Sequence, residues 1–242
     1  VKMNRIVIPG ITGVLVVRSW TITPHGRLDF RVAAYLKLTG AAEKSVRELD
    51  MPVEESRRRL AEKAASVSGP PIEMASVKDT KATARGLSVP VRIYTPEGTG
   101  PLPVVLFYHG GGWVQGNVDT HDWPCRAIAD RSRAIVVSVD YRLAPEHPYP
   151  AAVDDAYAAL LWVRANGKLL NADPSKIAVA GDSAGGNLAA AVCLMARDRG
   201  GPAIAFQALI YPGLDSAHLD TDSYRFFGTG YMLNKANIER FI

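Results

Sequence analysis

Residues 181–185 read Gly-Asp-Ser-Ala-Gly, between an apolar run at 177–180 and an Ala-rich run at 187–196. A G-x-S-x-G stretch between a strand and a helix is the pattern of a nucleophile elbow, which holds a serine on a sharp turn with its hydroxyl clear of the sheet. Glycine and serine also make ordinary tight turns. The strand-like run before Gly181 and the helical run after Ser183 separate this turn from those. Gly181 and Gly185 let strand and helix pass closely with no Cβ between them. A chain carrying this pattern must build a sheet with a helix leaving the end of one strand.

A second segment fits the first. Residues 104–108 (Val-Val-Leu-Phe-Tyr) read as a buried strand that runs into His109-Gly110-Gly111-Gly112-Trp113. Three successive glycines cost backbone entropy, but they let backbone N–H groups turn towards a ligand without side chains in the way. An HGGG-type loop supplies one half of an oxyanion hole, and the N–H of the residue after the nucleophile, here Ala184, supplies the other. A phosphate-binding loop is the weaker reading, because neither G-x-G-x-x-G nor a Walker lysine is present.

On three segments the chain resembles the hormone-sensitive-lipase-like branch of the α/β-hydrolase esterases. These are residues 109–113, residues 140–152 (Asp-Tyr-Arg-Leu-Ala-Pro-Glu-His-Pro-Tyr-Pro-Ala-Ala) and residues 181–187. The resemblance runs from about Leu28 to the end of the chain. It implies an α/β-hydrolase core, 71–242, under an N-terminal segment and helical cap, 1–70. It also implies cofactor-free hydrolysis of short- to medium-chain carboxylic esters through an acyl-enzyme on Ser183, with the N–H groups of Gly111, Gly112 and Ala184 as oxyanion donors. His109, Gly110, Trp113, Gly181, Asp182 and Gly185 are expected to support these motifs. Asp182 would point away from Ser183 and tie down the turn, His109 would orient the glycine loop by hydrogen bonds, and Trp113 would wall the pocket or pack. In residues 140–152 the prolines preset an extended path, with Arg142 and Glu146 expected to pair.

α/β-Hydrolases carry their triad in the chain order serine, acid, histidine. The family places the acid in a D-P-L-like motif and the histidine in a G-H-x-F-like motif, and neither occurs before Ile242. Only His218 follows Ser183, and only two residues separate it from Asp215 in a polar loop, so a solvated loop histidine is the expected reading. The C-terminal part of the fold, with the triad Asp and His, is expected to be absent from the chain. Two other functions stay open on the same scaffold: an amide or formamide hydrolase, and a catalytically inactive small-molecule receptor.

Composition narrows the remaining classes. At 242 residues and 48% hydrophobic content the chain can bury a sizeable core. The net charge of +4 comes from dispersed basic residues. The densest cluster, Arg57-Arg58-Arg59, follows Glu54 and Glu55 at helical spacing and reads as intrahelical pairing, so nucleic acid is not expected. Cys125 and Cys193 read as separate buried thiols, and no Cys/His spacing suggests a metal. The apolar stretch 6–17 is broken by Pro9, Gly10 and Gly13 and is too short to span a bilayer. It is expected to pack, which favours a cytoplasmic protein without stable membrane insertion but leaves export or membrane association open. A small ester is the expected partner, with room for a homo-oligomer.

Along the chain, helices are expected at 28–38 and 52–65, and antiparallel leading strands at 73–77 and 89–94. Strands at 104–108, 134–139, 176–180 and 205–211 then alternate with helices at 121–132, 151–166 and from the elbow onward, with a last helix starting near Asn234. Such alternation gives a mostly parallel sheet with helices on both faces. Its ligands bind beyond the carboxyl ends of the strands.

Overall fold

The computed structural model describes residues 4–6, 15–17, 21–23, 26–40 and 51–242. The chain divides into two compact units, one of Val1–Met51 with Ser216–Ile242 and one of Pro52–Asp215. The first contains two short antiparallel pairs, β1 (Asn4–Ile6) with β2 (Leu15–Val17) and β3 (Thr21–Thr23) with β4 (Gly26–Leu28). It also contains the helices α1 (Phe30–Thr39), α6 (Asp222–Phe227) and α7 (Lys235–Phe241). Asp29 caps α1 by accepting from the Arg31 N–H, and an Asn234–Asn237 capping box starts α7. The strands β1–β4 and the helix α6 have no counterpart in the sequence reading. Most of the apolar stretch 6–17 lies outside the described residues.

The second unit opens with helix α2 (Val53–Val67), which follows Pro52. The sheet strands are β5 (Ser76–Ala84), β6 (Leu87–Thr95), β7 (Leu102–Tyr108), β8 (Ile135–Val139), β9 (Ala172–Asp182) and β10 (Phe206–Ile210). Helices α3 (Asp122–Ser132), α4 (Ala151–Ala165) and α5 (Ala184–Asp198) connect or follow them. The strand order is β10-β9-β7-β8-β6-β5. The first four run parallel, while β6 and β5 are antiparallel to their neighbours.

The two faces of the sheet can be read from the strands themselves. In β7, Val104, Leu106 and Tyr108 join the core under α4 and α5, whereas Phe107 joins Cys125 and Ala129 of α3. In β8, Ile135, Val137 and Val139 take the first side and Val136 the second. Both faces are covered, so these strands are apolar without alternation, as parallel strands require.

Two strands differ from expectation. The leading strand covers Ser76–Ala84 rather than 73–77 and turns into β6 through Arg85 and Gly86, at φ +53° and +77°. Two positive φ values in a two-residue loop are the primed hairpin turn that matches strand twist. This strand is the sheet edge, and of its nine residues only Ala82 is buried, so Lys78, Asp79 and Lys81 hide its pattern. Strand β9 is longer than 176–180 because Leu102 already pairs with Ala172, ahead of a register shift.

Candidate active site

The site is set where the direction of winding reverses. Strand β7 lies between β8 and β9; the chain leaves it towards β8, then returns across it to β9 and goes on to β10. Adjacent strands whose connections diverge leave a crevice at their carboxyl ends. Tyr108 of β7 is level with Gly181 of β9, so the glycine loop and the serine turn emerge side by side.

Ser183 follows the last residue of β9 and precedes the first residue of α5. It holds φ +54° and ψ −118°, a conformation a non-glycine residue adopts only under constraint. The constraints are visible. The Ser183 N–H donates to the Ile210 carbonyl at 2.9 Å, and the Ser183 carbonyl accepts from the Asn187 N–H at 3.1 Å. The Asn187 side chain donates to the Gly213 carbonyl at 2.8 Å. A Cβ on Gly185 would overlap the Tyr108 carbonyl, and one on Gly181 would overlap the Gly185 carbonyl group. Strand, helix and the end of β7 therefore meet backbone to backbone.

The loop after β7 carries Gly111, Gly112 and Trp113 at φ +126°, +62° and +61°. The Val114 and Gln115 N–H groups both donate to the Gly111 carbonyl, closing a turn. Among the described residues nothing accepts from the N–H groups of Gly111, Gly112 or Ala184. Trp113 is partly buried against the main core, and its carbonyl accepts from the Ala144 N–H at 2.9 Å.

Asp182 joins the two segments. Its Oδ1 accepts from the Gly110 N–H at 2.9 Å and lies 3.4 Å from His121 Nε2. Burial pushes the Asp182 carboxyl up, but the His121 ring and the Gly110 N–H outweigh it and hold it below its ordinary value. His109 is fully buried, 4.2 Å from the Tyr141 ring and nearly parallel to it. The Tyr141 hydroxyl donates to the His109 carbonyl at 2.6 Å. His109 Nδ1 lies 2.9 Å from the Gly110 carbonyl, and because a carbonyl only accepts, Nδ1 carries the proton. Burial lowers the His109 pKa to about 4, so the ring is neutral at pH 7.

The segment 140–152 is anchored differently from the expectation. Arg142 pairs with the buried Asp155 of α4, Nη2 to Oδ1 at 2.7 Å, and Glu146 pairs with Arg57 of α2. The chain makes a single turn here, with the His147 N–H on the Leu143 carbonyl, and the two side chains go to two different helices. The arginine cluster also departs in part. Arg58 and Arg59 pair with Glu55 within the helix, whereas Arg57 does not. His121 and Tyr141 are contacts the sequence reading missed. Tyr141 lay inside the Asp-Tyr-Arg-Leu-Ala-Pro segment, but no spacing rule marked either residue as a neighbour of His109 and Asp182. Of the two residues weighed as a downstream pair, Asp215 lies in the second unit, and His218 is exposed in the first.

A cavity of about 600 Å³ opens on the Asp182 side of the elbow, walled by Phe107, His121, Trp123, Leu60 and Tyr211 among others. Ser183 does not line it. Among the described residues no group of three or more His, Cys, Asp or Glu is placed to hold a metal, and no helix is long and apolar enough to cross a membrane.

Known proteins are similar to this chain in sequence and in fold. The family described as the alpha/beta hydrolase fold matches residues 105–242. Carboxylesterase NlhH of Mycobacterium tuberculosis is 61% identical over 125 residues, 51% of this chain and 39% of that protein. The ethyl acetate hydrolase of Pseudomonas putida is 36% identical over 218 residues, 87% of this chain and 68% of its own length. Among solved structures, the hyperthermophilic esterase of the archaeon Pyrobaculum calidifontis is 43% identical with a TM-score of 0.75, covering 79% of this chain and 64% of that one. The chain thus spans about two-fifths to two-thirds of the length of these relatives. With a strained serine at a strand–helix elbow, a glycine loop beside it and matches running along most of its length, the chain belongs to the α/β-hydrolase family, in its hormone-sensitive-lipase-like branch.

Proposed function

We propose that the protein is a serine carboxylesterase acting on small short- to medium-chain esters, with Ser183 as nucleophile. One observation carries this reading: Ser183 is held at φ +54° at the carboxyl end of β9, beside a glycine loop with unclaimed N–H groups. Ser183 attacks the ester carbonyl, and the N–H groups of Gly111, Gly112 and Ala184 stabilise the tetrahedral oxyanion. Collapse expels the alcohol and leaves an acyl-enzyme that water hydrolyses. The names of the carboxylesterase and ethyl acetate hydrolase relatives support the substrate class. No cofactor enters this chemistry.

The base that takes the Ser183 proton is, in this reading, a triad histidine with an acid partner, of the kind the family carries after the nucleophile. Neither nearby histidine fills that place. The His109 Nδ1 proton is committed to the Gly110 carbonyl, and His121 lies against Asp182. Asp182 acts as the tie between elbow and glycine loop, and helix α2 acts as part of the cap. The two free cysteines support a cytoplasmic placement.

The test is covalent. A fluorophosphonate probe labels Ser183, and Ser183→Ala abolishes both labelling and hydrolysis of p-nitrophenyl butyrate. Labelling that persists in the alanine variant overturns the assignment of the nucleophile. A Ser183 that binds esters but is never labelled favours the receptor reading instead.

A further inference from the structure

Arg57 stands apart from its neighbours on α2. Arg58 and Arg59 turn to Glu55 on the exposed side of the helix, whereas the Arg57 side chain is only 27% exposed and reaches two loops. Its Nε donates to the Val114 carbonyl at 2.8 Å and its Nη2 to the Ala144 carbonyl at 3.0 Å. Nη1 and Nη2 grip the two Glu146 oxygens at 2.9 and 2.7 Å. The residue immediately before it, Ser56, donates from Oγ to Gln115 Oε1 at 3.1 Å.

These partners bracket the glycine loop. Val114 and Gln115 close the turn onto the Gly111 carbonyl, and the Ala144 N–H holds the Trp113 carbonyl. Three consecutive residues, Gly111 to Trp113, sit at positive φ between those anchors, and Trp113 does so with a bulky side chain. On the other side the loop is held by the Gly110 N–H on Asp182. A strained segment persists only where its surroundings over-determine it. Here the surroundings on the downstream side converge on one guanidinium. Arg57 makes four hydrogen bonds from three nitrogens spread across a planar fork, whereas an ammonium has only three donors on a single atom.

We propose that Arg57 is a positioning residue for the oxyanion donors: it holds the Gly111–Gly112 N–H groups in the orientation that receives the developing oxyanion. The proposal rests on the reading of Ser183 and its glycine loop above. Oxyanion donors act only in the transition state, so displacing them lowers kcat while leaving substrate affinity in place. Misplacement on the order of 1 Å is enough for up to about 10²-fold.

The experiment compares wild type with Arg57→Met, Arg57→Lys and Arg58→Met. Turnover is counted per site titrated with a phosphonate, so that loss of folded protein does not enter. The expected result is a kcat about 10- to 100-fold lower in Arg57→Met with KM within about twofold, no rescue by Arg57→Lys, and no change in Arg58→Met. Hydrogen exchange at the amides of residues 111–115 is expected to quicken in both Arg57 variants and not in Arg58→Met. Equal kcat per titrated site in Arg57→Met, or a rise confined to KM, overturns the proposal. If wild type neither hydrolyses esters nor is labelled at Ser183, the reading of Ser183 fails by itself and the catalytic part of the proposal fails with it. Exchange at 111–115 then still separates the two failures, since unchanged protection in Arg57→Met overturns the anchoring of the loop by Arg57 as well.

Discussion

At Ser183 the chain holds a non-glycine residue at φ +54°, a conformation that costs roughly 1–3 kcal/mol. The hydrogen bonds to Ile210 and Asn187 and the glycine-only contacts at 181 and 185 offset that cost. His109 concentrates a second cost beside it. Its pKa of about 4 in the folded protein lies below the 6.5 of a free histidine, so between those values the unfolded chain binds a proton that the folded chain refuses. The contribution is fully present above pH 6.5 and is lost as the pH falls towards 4, by roughly 3 kcal/mol. Denaturation midpoints measured between pH 7 and pH 4.5 should therefore fall, and more steeply in wild type than in His109→Gln. Equal slopes would refute the assignment. The motifs made the turn at Ser183 and the glycine loop legible because both depend on unusual backbone conformations, which small residues betray. They did not show Tyr141 stacking on His109 or His121 reaching Asp182, because those contacts join segments with no fixed spacing.

Among the elements, the apolar runs identified β7, β8 and α4, and the hydroxyl of Tyr108 fastens β7 to α4 through the Ala156 carbonyl. The edge strand β5 was misplaced because solvent takes most of it, and a strand of charged residues carries little period-2 signal. The pairing of Arg142 with Asp155 shows a similar limit, since the partners belong to a loop and to the helix after it. Asp155 is 2% exposed and accepts from the Arg142 N–H as well as the guanidinium, so its loss leaves both part-buried donors without that partner. Asp155→Ala is expected to destabilise by about 2 kcal/mol, the lower end of the range because the half-exposed Arg142 can turn to water. Breaking the surface pair of Arg58 and Glu62 by Glu62→Gln should cost far less, because both side chains are exposed. Urea unfolding of the two variants checks the contrast, and similar losses would contradict it.

Among the described residues the sheet runs from β5, which is charged, to β10, which is not. Phe206 is 67% exposed, Tyr211 73%, and Ile210 and Leu214 are also exposed. Unpaired backbone on an apolar edge templates association. A polypeptide of these 242 residues is therefore expected to self-associate, with Phe206→Lys shifting it towards monomer. Size-exclusion profiles over a hundredfold dilution test this; a wild-type monomer at every concentration would refute it.

What the sequence determined by itself was the class of fold and the backbone geometry at its centre. Alternating apolar runs and helical stretches demand a mostly parallel sheet covered on both faces, and glycines at 111, 181 and 185 mark where backbone must approach backbone, as Gly110 marks where the Asp182 carboxylate does. Only the tertiary structure decided which side chains hold those backbones in place. The choice of Asp155 for Arg142, of His121 for Asp182, and of Val114, Ala144 and Glu146 for Arg57 depends on how the elements cross. Hydrophobic periodicity is local and survives in one dimension. The partner of a charged side chain is set by which loops meet in space, and that information appears only when the sheet has closed its order.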